Sequence, residues 1–214
     1  MQDALVSASR TRQRRPYHHG DLRQALIEET VRLVEAEGLT ALTLRKVARQ
    51  VGVSHAAPAH HFKDLDGLLQ AAAVFGHDAL RAALQAGVAR STKRDGVSRL
   101  RGAGLAYVEF AVEHAALFGL MFHPALGRRP WSPELERSAV AAFDVLLETI
   151  RLAQEQGAVR AANPRDLALA AWSALHGLAV LVTGGQAAHK GFRLESRRLA
   201  ETVAAVLFEG LRAR

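Results

Sequence analysis

Cysteine is absent from the 214 residues. That absence excludes disulfides, thiolate metal ligands and cysteine nucleophiles together, and it fits a reducing, cytoplasmic setting. Long apolar runs are also missing, since no stretch reaches eighteen uncharged apolar residues. The nearest approach is 167–185, LALAAWSALHGLAVLVTGG, which lacks Asp, Glu, Lys and Arg. It contains Ser173, His176 and several glycines and has no charge cluster after it, so the expectation is a helix buried between other helices, not a membrane span. No apolar core follows the basic N-terminal cluster, so a secretory signal is not expected. No segment alternates apolar and polar residues as a half-buried strand does. A phosphate-cradling glycine loop and a nucleophile elbow are lacking as well, and no enzymatic function is expected. His18, His19, His60 and His61 form two adjacent pairs. Neighbours on a helix point about 100° apart, and no carboxylate completes a ligand set, so neither a metal nor a cofactor is expected.

Hydrophobic residues make up 49% of the chain and charged residues 23%, enough apolar surface to drive ordering of the bulk of it. Lys and Arg total 28 against 21 Asp and Glu, a net charge of +7. The excess is uneven: residues 1–63 hold ten basic and six acidic side chains, and the other 151 hold 18 and 15. The N-terminal quarter is therefore the better candidate for facing an anion. Its first sixteen residues carry Arg10, Arg12, Arg14 and Arg15 among polar neighbours, a solvated basic tail able to order against phosphate.

From Asp21 onward the spacing becomes helical. Leu22, Leu26, Ile27, Val31, Leu33 and Val34 form the first stripe, with Asp21 as a cap and Gly38 as a stop. Thr43 precedes a two-turn stripe of Leu44, Val47, Ala48 and Val51. Gly52 supplies a bend, Val53 an apolar residue within it, and Ser54 a cap for a second short helix ending at Phe62. A longer helix starts at the Asp64 cap and breaks at 91–96, and apolar positions between Leu100 and Phe122 are too continuous for a one-faced helix. Pro124, Gly127, Pro130 and Pro133 predict a loop over 123–133. Helical spacing returns over 135–156, stopped by Gly157. Asn163, Pro164 and Asp166 start another helix that Gly184 and Gly185 stop, and a last one spans about 194–211. The expectation is an all-α protein of about nine helices.

Two short helices about a glycine bend, with a basic balance around them, predict a helix-turn-helix that places its second helix in the major groove of DNA. Val47, Val51, Val53 and Phe62 are apolar where such helices brace each other, and the residues from Ser54 to His61 are short or carry imidazoles. Ser54 offers a cap or a phosphate contact, and His55, His60 and Lys63 add donors. Thr43 and Arg45 lie at a helix N-terminus, where free backbone N–H groups attract phosphate. Pro58 is the discordant residue, because its ring and missing N–H conflict with the Ser54 carbonyl. In the C-terminal half, Tyr107, Phe110, Phe118, Met121, Phe122, Trp131, Trp172 and His176 have the composition of a small-molecule pocket and equally of a helical core.

Residues 17–76 resemble the N-terminal DNA-binding domain of the TetR family of bacterial transcriptional regulators, through TLRKVA at 43–48, GVS at 52–54 and HHF at 60–62. AYVEFAVEHAALFGLMF at 106–122 and AAWSALHGLAVL at 170–181 resemble Tyr-Val-x-Phe-Ala and Trp-x-x-x-His-Gly segments of a subgroup of that family. The resemblance implies a homodimeric repressor, less often an activator, that binds a palindromic operator and responds to a small apolar effector. It implies a DNA-binding domain over 17–65 and an effector-binding and dimerisation domain over 66–214, with a dimer surface made mainly by the last two helices. The composition of 1–16 predicts a disordered basic tail, and the apolar circumference of 164–183 and 194–211 makes them the expected dimer segments. Thr43 and Arg45 match positions that meet phosphate, His55, Ala56 and Ala59 match groove-facing positions, and His60 lies beside the backbone. Three positions depart from the pattern. Pro58 replaces a common leucine, Ala59 a common tyrosine, and Leu65 a common lysine for which Lys63 can substitute. These departures motivate a second reading, a helical protein-interaction module with lost DNA affinity.

Overall fold

The computed structural model describes residues 19–91, 93, 95–128, 130–192 and 195–212. The basic tail and His18 lie outside them. Among the described residues there are nine α-helices, three short 3₁₀ segments and one isolated bridge, between Val159 and Arg212. The expected all-α class holds.

Helix α1 spans His19–Glu37. It begins two residues before Asp21, because a capping residue starts a helix only where the chain before it turns away, and the backbone at His19 and Gly20 is already helical. Gly38, at φ 81°, ends α1 with its N–H on the Val34 carbonyl. A 3₁₀ turn over Leu39–Ala41 leads to α2, Leu44–Val51. There Thr43 Oγ1 accepts from Lys46 N at 3.1 Å, and Gly52 closes the helix in the left-handed region at φ 81°, a conformation that a Cβ would strain.

The second helix of the motif differs from its expectation. In place of an α-helix opened by Ser54 there is a 3₁₀ turn over Ala57–His60, with Ala56 at its cap position and no side-chain cap bond. Pro58 is the physical reason. Lacking an N–H, it cannot donate to the Ser54 carbonyl four residues back. Ala57 N takes that carbonyl at 3.0 Å, and Ala59 N and His61 N bond three residues back, to Ala56 and Pro58. The Pro58 ring itself is buried.

Helix α3, Leu65–Ala89, starts where Asp64 Oδ1 accepts from Gly67 N at 2.9 Å. At 1.5 Å per residue its 25 residues extend about 37 Å. Asp95 caps α4, Gly96–Glu113, and a 105° bend at His114 separates α4 from α5, Ala115–Met121. The expected loop at 123–133 contains a 3₁₀ turn, Pro124–Arg128. Helix α6, Pro133–Glu155, starts earlier than its apolar spacing indicated, because Ser132 Oγ accepts from Leu135 N. Asn163 caps α7, Pro164–Thr183, as expected. The short α8, Gln186–His189, is too brief to show a period, and α9 spans Ser196–Leu211.

One apolar core runs from Leu26, Val47 and Phe62 through Leu68 and Leu80 to Val108, Leu120 and Leu175. Helix α3 belongs to both ends of it. The α3–α4 crossing depends on small residues: a Cβ built on Gly87 would lie 2.5 Å from the Gly102 carbonyl oxygen. A second cluster gathers Leu147, Ile150, Val159, Leu167 and Leu211. Helix α7 corrects another expectation, since it is buried on one side only. Leu167, Ala168, Ala171, Leu175 and Ala179 face inward, while Leu169, Val180 and Leu181 are exposed because no other element among the described residues covers that face. Among the described helices α7 is the single one long and apolar enough by itself to cross a membrane.

Candidate DNA interface and ligand cavity

Thr43, Arg45, Ser54, His55, Ala56, Ala59, His60 and Lys63 are all exposed. The residues behind them are not: Val47, Ala48, Pro58 and Phe62 are buried. The α2–turn unit therefore presents short side chains and nitrogen donors outward from an apolar support. Thr43 uses an oxygen lone pair to cap α2 and keeps its hydroxyl proton for an acceptor. Arg49 and Gln50 are exposed too, and Arg49, four residues after Arg45, shares its helix face. Arg49 is not among the residues expected from the sequence, and its i, i+4 spacing from Arg45 is the signal that could have found it. Lys46 is committed elsewhere, ion-paired with Glu37 of α1. The Arg23 guanidinium sits 5.5 Å from the Phe62 ring centroid and braces α1 against the end of the turn.

A cavity of about 270 Å3 lies between α3, α4, α6 and α7. Tyr107, Phe122, Trp131 and Trp172 line it, as do Leu80, Leu84, Val140, Phe143 and Leu175. Phe110, Phe118, Met121 and His176, nominated with them, are not on its wall. Phe110, Phe118 and Met121 are buried in the core, and His176 stands behind Tyr107 and Phe122, with ring centroids 6.3 and 4.5 Å away. Trp172 Nε1 donates to Tyr107 Oη at 3.1 Å, and Tyr107 Oη lies 2.8 Å from His176 Nδ1. The indole is donor-only, so the phenol accepts from it and its own proton is available to the imidazole. Burial pushes the Tyr107 phenol well above its ordinary value despite the indole bond, and lowers the His176 imidazole.

Three polar residues on the cavity wall were not singled out from the sequence: His77 on α3, Asp144 on α6 and Arg165 on α7. His77 is 4% exposed, with its ring 5.7 Å from Phe122 in edge-on contact. Among the described residues neither ring nitrogen has a hydrogen-bond partner. Burial lowers the imidazole from 6.5 to about 4, against a smaller upward pull from Asp78. Arg165 is exposed and Asp144 half-buried, and with exposed Trp131 and Val140 they form the rim.

Comparison with known proteins gives the chain its relatives. A family model for bacterial regulatory proteins of the tetR family matches residues 26–72, and one for a tetracyclin repressor-like C-terminal domain matches residues 100–207, half of the chain. A solved structure from Rhodococcus sp. RHA1, a protein with unknown function, is 31% identical at TM-score 0.80, covering 93% of this chain and 100% of that one. The ketosteroid transcriptional regulator KstR2 of Mycobacterium tuberculosis shares the fold at 19% identity and TM-score 0.62, over 90% of this chain and 95% of its own. The HTH-type transcriptional regulator BetI of Serratia proteamaculans is 43% identical over 49 residues, 23% of this chain, so the match spans a quarter of that protein's length. With both halves matched, the N-terminal one over α1 to α3 and the C-terminal one over α4 to α9, the chain belongs to the TetR family.

Proposed function

We propose that the protein is a homodimeric, ligand-responsive transcriptional regulator, a repressor that a small apolar effector releases from a palindromic operator. Residues 17–65 read DNA and residues 66–214 sense and dimerise, with α3 common to both. The observation that carries this reading is the exposure of all eight nominated DNA-facing residues on one unit whose apolar back is buried. Arg45, Arg49 and Lys63 meet phosphate, with the Thr43 hydroxyl beside them, and His55, Ala56 and Ala59 approach the bases. Because the turn over Ala57–His60 is 3₁₀ and carries small side chains, it offers few base contacts, and backbone contacts supply most of the affinity.

The dimer forms through α7 and α9. Leu169, Val180 and Leu181 on α7 and Val206 on α9 are large apolar side chains left in solvent by a single chain, and a two-fold pairing of both helices makes a four-helix contact. That arrangement sets two α2–turn units about 34 to 36 Å apart, one turn of DNA. The effector enters the cavity between α3, α4, α6 and α7 from the Trp131 rim. Selection of bound duplexes from a random pool tests the reading. A palindromic consensus whose enrichment is lost in Arg45→Ala/His55→Ala supports it, and unselected binding at equal affinity to all duplexes contradicts it.

A further inference from the structure

We propose that His77 is the hydrogen-bonding anchor of the cavity, and that the molecule bound there is an uncharged one- or two-ring compound carrying a hydroxyl group. The proposal rests on the reading of this cavity as the effector site, and it adds the chemistry of the occupant and the residue that recognises it.

A buried polar group is normally hydrogen-bonded, and leaving one unpaired is costly. The other polar groups deep on the wall are engaged, Trp172 donating to Tyr107 and Tyr107 bonded to His176 behind it. His77 stands apart, 4% exposed, on the cavity wall, with both ring nitrogens unpartnered by the protein. Its ring stands edge-on to Phe122, with centroids 5.7 Å apart, and neither nitrogen has open surface, so an occupant of the cavity reaches one through a small turn of the imidazole. As a neutral imidazole, the form its burial favours, it offers one N–H donor and one acceptor nitrogen. A hydroxyl, both donor and acceptor, is the smallest group that satisfies either one. An ionised group would pay desolvation at this depth, because the charged residues of the lining, Asp144 and Arg165, belong to the rim. The remaining lining, Leu80, Leu84, Phe122, Phe143 and Leu175, is apolar. An engineered apolar cavity of about 150 Å3 holds benzene, so about 270 Å3 accommodates a ring with a short substituent or a second ring.

The test uses a matched pair of probes, 4-propylphenol and propylbenzene. The only two tryptophans of the chain, Trp131 and Trp172, both line the cavity, so intrinsic fluorescence of the full chain reports occupancy. The expected result is that 4-propylphenol binds about tenfold more tightly than propylbenzene, that His77→Leu brings the two within about twofold, and that His77→Gln, which keeps a donor and an acceptor, retains the preference. The ligand-free His77→Leu protein is also expected to melt about 2 to 6 °C higher, because the substitution removes an unpaired buried polar group. Equal affinity of the two probes for the unsubstituted protein, or a preference that survives in His77→Leu, overturns the role of His77 and leaves the cavity as a ligand site. Absence of binding by both probes at millimolar concentration overturns the proposal and the effector reading of the cavity together.

Discussion

The two ends of α3 handle polar groups in opposite ways. Near its start, the donors of the α2–turn unit stand in water, with Arg45, His55, His60 and Lys63 exposed around buried Pro58 and Phe62. Three turns further on, both ring nitrogens of His77 are buried and have no partner among the described residues. Exposed donors cost the fold almost nothing and can exchange water for phosphate at any time. A buried unpaired imidazole costs the fold continuously and recovers that cost only when a ligand supplies the missing bond. On the proposed reading, recognition at the first end is governed by salt and charge, and at the second by shape and hydrogen-bond matching.

Five substitutions sharpen this contrast. The largest effect is expected where the exposed end meets the core. Phe62 is 5% exposed, and Phe62→Ala should lower stability by about 3 to 5 kcal/mol in urea unfolding, as large aromatic truncations do. A loss below about 1 kcal/mol would show that the DNA-facing unit is not anchored there. Next is the pH response of the buried end. The folded-state value of His77 is lowered to about 4 from 6.5, so between those values the unfolded chain binds more protons and stability falls as pH falls. The loss approaches roughly 3 kcal/mol by pH 4. In His77→Leu this part of the decline should vanish, and an unchanged profile in the same unfolding experiment would remove His77 as its source.

Smaller effects belong to the exposed end. His55→Ala should change the ranking among operator variants by about 1 to 3 kcal/mol if the imidazole meets a base edge, whereas His60→Ala should weaken every site alike. Identical, sequence-independent losses in a competition assay would merge the two roles. Arg45→Ala should reduce the slope of log affinity against log salt by about 0.9 for the phosphate contact it removes. A slope equal to that of the unsubstituted protein would place Arg45 away from the backbone.

The same contrast explains which features could be read in advance. Signals that act within a few residues were legible. Gly38 and Gly52 stop α1 and α2, Asp64 caps α3, and Asn163 with Pro164 opens α7. The α2–turn unit is assembled from such signals, so its exposed donors could be named from spacing, while Ala56 and Ala59 came from the family resemblance. Its one structural surprise, the 3₁₀ turn, traces to Pro58, whose conflict with the Ser54 carbonyl was visible while its outcome was not. Hydrogen bonding three residues back removes that conflict. The cavity resists such reading because its wall comes from four helices distant in sequence. Around His77 the sequence is AAAVFGHDAL, an ordinary helical stretch whose inward face is known only once α4, α6 and α7 close around it. Aromatic composition found Tyr107, Phe122, Trp131 and Trp172, yet it could not separate the wall from Phe118 and Met121 behind it.

The most direct test of the account is affinity for DNA flanking the protein's own coding sequence, measured by fluorescence anisotropy at a fixed near-physiological salt concentration. Shuffled duplex of identical composition serves as the competitor. The account predicts a dimer bound at least 10³-fold more tightly to a palindromic segment of the flanking DNA than to the shuffled duplex. It also predicts that adding Arg45→Ala and His55→Ala together reduces that ratio. Equal affinity for the two duplexes across the salt range would contradict it.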